Sequence, residues 1–280
     1  MRLGVMRSVK AVSLALALLI YSSNNPIIQS SAFAEGPSSV YIEELTWAEI
    51  QARLQAGTTI AIIPTGATEE EGPHMVTGKH NEVVRYAAGE IARKLGNALV
   101  APVIPYAPSG RITPPEGNMQ FAGTMSISPR AYSLVLADAA RSLKQHGFHM
   151  ICFIGDSKAS QAMQAQVAEA LSQEWASDRV KVVNVSDYFA KNGQDEWNDA
   201  NAKIPHAFAH AGHADTSEMM SVDASGVRDT LRAAHSDKDY KTTGASGDSS
   251  QATATFGRRY MSLKIEAAIK QIQNVSSHAR

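Results

Sequence analysis

The chain has 280 residues, 44% hydrophobic and 19% charged, which is ordinary for a folded globular protein and far from a disordered or fibrous composition. Its net charge of -1 lacks the basic excess of a nucleic-acid binder, and the single cysteine, Cys152, rules out an internal disulfide. The length suits one large α/β domain or two small ones.

The first 34 residues read as a targeting segment. Arg2, Arg7 and Lys10 precede the apolar run Ala11–Ile20, and Ala32-Phe33-Ala34 forms a small-x-small cleavage pattern. The run is short for a membrane span, so a cleaved signal peptide over 1–34 is expected, with an uncleaved anchor as the alternative. The remaining 35–280 then form one domain without a membrane span. The periplasm or the cell exterior is the expected compartment.

Leu45–Gln55 predicts a helix, with Thr46 and Glu49 spaced as a capping box and Gly57 as a stop. Ile60–Ile63 predicts a buried strand broken by Pro64 and Gly66. It leads into Glu69-Glu70-Glu71, a Gly72-Pro73 turn, His74 and His80. If that backbone stays extended, Glu69 and Glu71 point the same way. Glu82–Leu95 predicts a helix ended by Gly96, and Ala98–Ile104 a second buried strand.

Pro105–Pro115 is a long loop carrying Tyr106 and Arg111, with Glu116 just beyond it, and Phe121–Ile127 a short extended piece. Ser128-Pro129 starts a helix running to His146. Met150–Ile154 predicts a third strand, followed by Gly155-Asp156-Ser157-Lys158. A helix over Ala159–Trp175 and a fourth strand over Val180–Val185 come next. Ala207–Met220 brings together His210, His213 and Asp215, with Asp215-Thr216-Ser217 expected to cap a helix over Glu218–Val222. Phe256–Ile272 predicts a further amphipathic helix.

Apolar strands alternating with helices imply an α/β fold with a largely parallel sheet covered on both faces. Loops at the carboxyl ends of such strands converge on one crevice, which would gather Glu69–His80, Gly155–Lys158 and His210–Asp215. Carboxylates and imidazoles meeting there can bind a divalent transition metal, which lowers the pKa of water and polarises a carbonyl. The spacing alone matches no familiar metal motif. Ser157 lacks a Gly-x-Ser-x-Gly context, which speaks against a serine hydrolase. His210 is the candidate general acid/base, because imidazole titrates near working pH. Trp197, Tyr106 and Arg111 are candidates for lining a substrate pocket.

IPTGATEEEGPH resembles the first motif of the creatininase family, and HAGHADTS is similar to its later His-Ala-Gly-Glu-x-Glu-Thr-Ser motif. FAGTMSI, GFHMICFIGDSKAS and GASGDSSQATATFGRRY resemble three further family segments in the same order. The resemblance implies a three-layer α/β/α fold and a metal-dependent amidohydrolase acting on a C–N bond of a small, often cyclic, amide. It also implies a zinc, manganese or iron ion, one or two per chain, and a homo-oligomer, often a hexamer.

Carried over by position, the resemblance implies Glu69, Glu71, His80, Asp156 and Asp215 as metal positions, with His210 catalytic and His213 a ligand or second acid/base group. Several of these depart from the family pattern. Glu71 and Asp156 stand for histidines, and His80 stands for a bridging aspartate. A neutral imidazole offers one lone pair where a carboxylate can bridge two ions, which argues for a single ion on Glu69, His80 and Asp156. Lys158 is expected to pair with Glu71 in the vacated position. The alternative is a binding protein that keeps the fold without hydrolysis.

Overall fold

The computed structural model describes residues 39–190 and 208–277, all within the compact unit Pro37–Arg280. The proposed targeting segment, Trp197, His206 and His278 lie outside the described residues.

Four parallel strands form one sheet in the order β2-β1-β3-β4, with β1 Ile60–Thr65, β2 Ala98–Val100, β3 Met150–Gly155 and β4 Lys181–Asn184. Helices α1 (Trp47–Gln55), α2 (Lys79–Leu95), α3 (Pro129–Gln145), α4 (Gln161–Glu174), α5 (His213–Val222) and α6 (Ala254–Ser277) surround it. Alternate strand residues face opposite layers. Ile60, Ile62, Met150, Cys152 and Ile154 pack with α2 and α6, burying Val83, Ala87, Met261, Ile265 and Ala268. Ile63, Ile151 and Phe153 pack with α3 and α4 around Tyr132, Leu136, Val167 and Leu171. Apolar side chains on both sheet faces thus produce the expected three layers. Cys152 is a buried free thiol of this core.

Local signals set several boundaries as expected. Thr46 and Glu49 form the reciprocal capping box of α1, Ser128 caps α3, and Gly96 ends α2 in the left-handed conformation. Three expectations are corrected. The first strand continues through Pro64 to Thr65. β2 has ended at Val100, so the missing Pro64 N–H removes no ladder bond, while its carbonyl accepts from Ile104 N at 3.0 Å. Helix α2 starts at Lys79, three residues before Glu82, which puts Lys79 and His80 in its first turn. Asp215, Thr216 and Ser217 lie inside α5, which begins at His213, and so do not cap it.

Candidate metal centre

The acidic loop leaves the carboxyl end of β1, and Asp156 directly follows β3. His80 opens α2, and His210 precedes α5. Strand ends and helix starts therefore deliver these side chains to one place. They meet at a cleft of about 880 Å³, whose walls include Glu69, His80, Asp156, Lys158, His210, Asp215 and Tyr240.

Glu69 and Glu71 point the same way, as their spacing predicts. His80 Nε2 lies 3.3 Å from Glu69 Oε1 and 2.6 Å from Glu71 Oε1. These approaches lack hydrogen-bonding direction on the Glu71 side. Both Glu71 oxygens and Glu69 Oε2 are buried with no hydrogen-bond partner. One donor atom from each of Glu69, Glu71 and His80 falls within 4.8 Å of the others, close enough for the three to share one metal ion. Burial works against the charged Glu69 carboxylate, but the His80 hydrogen bond and charge outweigh it and hold the group down to about 2.

Behind His80, Nδ1–H donates to Asp156 Oδ2 at 2.7 Å. The other Asp156 oxygen accepts from Tyr188 Oη at 3.0 Å and from Lys264 Nζ at 2.8 Å. Asp156 therefore lacks a free oxygen for an ion. It orients the imidazole, and Glu71 takes the place beside Glu69 and His80 that the sequence reading gave to Asp156. Two buried ammonium–carboxylate pairs lie beside this group. Lys79 Nζ is 2.7 Å from Asp215 Oδ1, and Lys264 Nζ is 2.7 Å from Glu218 Oε1. Burial disfavours the charge on Lys79, but Asp215, Asp156 and Glu218 outweigh it and raise its pKa well above the usual lysine value.

Glu70 points away from its two neighbours. Its main-chain oxygen and Oε1 accept from His210 Nε2 at 3.0 and 3.1 Å. Burial lowers the His210 pKa, but the Glu71 charge and the Glu70 hydrogen bond and charge prevail and push it up to about 9. The turn carrying His210 places Ala211 at φ 55°, an unfavourable conformation for a residue with a Cβ. The Ala211 N–H donates to Asp215 Oδ2 at 3.0 Å, which ties the turn to α5. His74 is buried and hydrogen-bonded through Nε2 to Thr216 Oγ1 at 2.8 Å, joining the acidic loop to the same helix.

Other expectations change. Lys158 is exposed on the cleft rim and makes no ion pair with Glu71 among the described residues. The short helix Lys158–Ser160 starts there and presents its side chain to solvent. His213 opens α5 but packs edge-on against Phe256, with ring centroids 4.4 Å apart, outside the acid cluster. Tyr106 is exposed and Arg111 pairs with Glu116, and neither lines the cleft. Pro108, Ser109 and Gly110 of the same loop do. The sequence reading missed Glu70, Lys79, Tyr188, Glu218 and Lys264.

Residues 43–272 match the family model described as creatinine amidohydrolase. The chain belongs to the creatininase family. A creatinine amidohydrolase of Pseudomonas putida is 33% identical over 109 residues, covering 39% of this chain and 41% of that protein. A mycofactocin precursor peptide peptidase of Mycolicibacterium smegmatis is 27% identical over 176 residues, covering 61% and 60% respectively. The aligned portions thus span less than two thirds of either relative. Among solved structures, a zinc–zinc form of a mutant creatininase superposes with a TM-score of 0.70 at 21% identity, covering 84% of this chain and 98% of that one. A manganese creatininase gives a TM-score of 0.67 at 21% identity, covering 84% and 98%. These neighbours establish a shared creatininase fold.

Proposed function

We propose that this creatininase-family chain is a metal-dependent hydrolase that cleaves a C–N bond in a small amide, with cyclic amides the first class to test. The observation that carries this reading is the pair of buried carboxylates, Glu69 and Glu71, gathered around His80 Nε2, with Glu69 Oε2 and both Glu71 oxygens accepting no well-directed hydrogen bond. Buried carboxylates are costly without a counter-charge, and two carboxylates with one imidazole are a donor set suited to zinc, manganese or iron. Glu69, Glu71 and His80 would hold the ion in place of the Nε2 proton, and Asp156, by accepting from Nδ1–H, fixes the ring so that Nε2 faces the two acids. When bound, such an ion polarises a carbonyl and lowers the pKa of water.

His210 supplies the proton. Charged by Glu71 and Glu70 and open to the cleft, it can protonate the departing nitrogen as the C–N bond breaks. Glu70 holds the ring in place through Nε2. Lys158 offers a solvated ammonium at the rim, where it can orient a polar substrate. A cleft of about 880 Å³ suits a small molecule or short peptide. The names of the two relatives, an amidohydrolase and a peptide peptidase, support amide chemistry.

The test is turnover of a panel of cyclic amides, formamides and short peptides by chelator-treated protein resupplied with Zn²⁺, Mn²⁺ or Fe²⁺. Hydrolysis restored by one of these ions and lost in His210→Ala is the expected result. No turnover with any ion, together with ligand binding that survives His210→Ala, would establish the second reading. That reading is a binding protein that keeps the fold, and it draws support from the two buried ammoniums already among the acids.

Export to the periplasm or cell exterior is part of the same proposal, on the pattern of residues 1–34. Mass spectrometry of protein from the native host tests it, and an intact segment would refute cleavage. Exposed Trp47, Leu134 and Val135 support a homo-oligomer, with a hexamer as the form light scattering should weigh. Among the described residues no helix is long and apolar enough to cross a membrane.

A further inference from the structure

Three of the acids around the centre already have built-in cations. Lys79 Nζ lies 2.7 Å from Asp215 Oδ1 and 3.5 Å from both Asp156 Oδ2 and Glu218 Oε2. Lys264 Nζ lies 2.8 Å from Asp156 Oδ1 and 2.7 Å from Glu218 Oε1. Both lysines are buried, with 1% and 4% of their surface exposed. A lysine in the first turn of α2 faces the positive end of the helix dipole, an unfavourable place for an ammonium unless carboxylates surround it. Here they do.

The acids therefore divide into two sets. Glu69 Oε2 and both Glu71 oxygens are buried and accept no well-directed hydrogen bond, although His80 Nε2 stands 2.6 Å from Glu71 Oε1. Asp156 and Asp215 have none free, because Lys79, Lys264, His80, Tyr188 and the Ala211 N–H take them. The other close donor group among the described residues is Glu71, His210 and Asp215. It shares Glu71 with the first group, and its Asp215 is engaged by Lys79 and by backbone. Its His210 Nε2 is engaged by Glu70. An ion there would have to displace or repel a fixed ammonium in a poorly screened interior.

We propose that the Lys79 ammonium replaces a second metal ion in charge, so that each protomer takes one divalent ion, on Glu69, Glu71 and His80. The zinc–zinc neighbour with the same fold makes the contrast concrete. This inference rests on the metal-hydrolase reading and fails separately from it.

The experiment is metal stoichiometry on the full chain. Chelator-treated protein is loaded with excess Zn²⁺, freed of unbound ion by gel filtration and analysed by mass spectrometry for metal per protomer. Calorimetric titration with Zn²⁺ runs in parallel. One equivalent is expected in the wild type. In Lys79→Gln a second equivalent should bind at least tenfold tighter than any second binding to the wild type, and Zn²⁺ should raise the variant's melting temperature further than the wild type's. Two tightly held equivalents with Lys79 intact would overturn the inference, as would a folded Lys79→Gln that stops at one. No bound metal in the wild type would overturn the metal reading itself. If Lys79→Gln does not fold, the wild-type count still decides between one ion and two.

Discussion

Replacing Asp156 by asparagine tests how the centre is built. The change keeps size and shape but removes the charge and one of two acceptor oxygens, either the one facing His80 Nδ1 and Lys79 or the one facing Lys264 and Tyr188. If Asp156 orients His80 and does not itself hold the ion, metal affinity should fall about 10–100-fold, equivalent to roughly 1.4–2.8 kcal/mol. Glu71→Gln removes one of the three donors and should cost more than that. The folded protein should also lose stability, because two buried ammoniums lose a partner, and breaking a buried charge pair costs about 3–5 kcal/mol. Competition with a chromophoric zinc chelator, at a temperature where circular dichroism shows both variants folded, gives the two affinities. Urea unfolding of the metal-free forms gives the stabilities. Asp156→Asn weakening zinc as much as Glu71→Gln would refute the assignment of Asp156 to the imidazole.

Three other outcomes follow from the packing. Lys264→Met leaves Asp156 and Glu218 facing each other with one counter-charge fewer, and urea unfolding should show a loss of about 3–5 kcal/mol; a loss under 1 kcal/mol would refute it. His74 is held at about 4 by burial, against 6.5 when free. Between those values the unfolded chain carries a proton that the folded chain lacks, so stability falls as pH drops through that window, by roughly 3 kcal/mol in all. The stability difference between wild type and His74→Asn should shrink by that amount from pH 7 to pH 4, and a difference independent of pH would contradict the shift. A Cβ at Gly257 would strike the Ser217 carbonyl oxygen of α5. Gly257→Ala should therefore destabilise by about 1–3 kcal/mol, where an unobstructed helical glycine would gain about 1 kcal/mol; a gain in chemical unfolding would show that the two helices can move apart.

The layers and the acidic half of the centre were legible in the residues. Uninterrupted apolar runs gave the parallel sheet, and strand ends told where Glu69, Glu71, Asp156 and His210 would meet. The cationic half was not legible, for reasons that differ by residue. Lys79 carries no sequence mark of a helix start, because α2 has no side-chain cap at Gly78. Glu70 looked like a repeat of its neighbours, yet the same two-residue period that aligns Glu69 with Glu71 turns it toward His210. Lys264 sat in an amphipathic helix, where a lysine normally reads as the solvated face. The usable signal was its register. Tyr260, Met261, Ile265, Ala268 and Ile272 are the buried stripe of α6, and Lys264 lies in the middle of it. A lysine on an apolar stripe predicts a buried acid opposite. Lys158, which carries the same charge near the strand end, had no such register and proved to be exposed.

The ammonium on α6 meets an aspartate 108 residues earlier in the chain. During synthesis the acids of the β1 and β3 loops emerge long before that helix exists to neutralise them. Until it docks, Asp156 Oδ1 and Glu218 Oε1 lack their nearest ammonium, and Lys79 and His80 of α2 are the cations left among the acids. Full neutralisation of these acids should thus coincide with the arrival of α6, a late and non-local event of the kind that slows folding. A chain stopped ahead of that helix would keep His80 as its bridge between the two loops and would lack the ammonium that Asp156 Oδ1 and Glu218 Oε1 share.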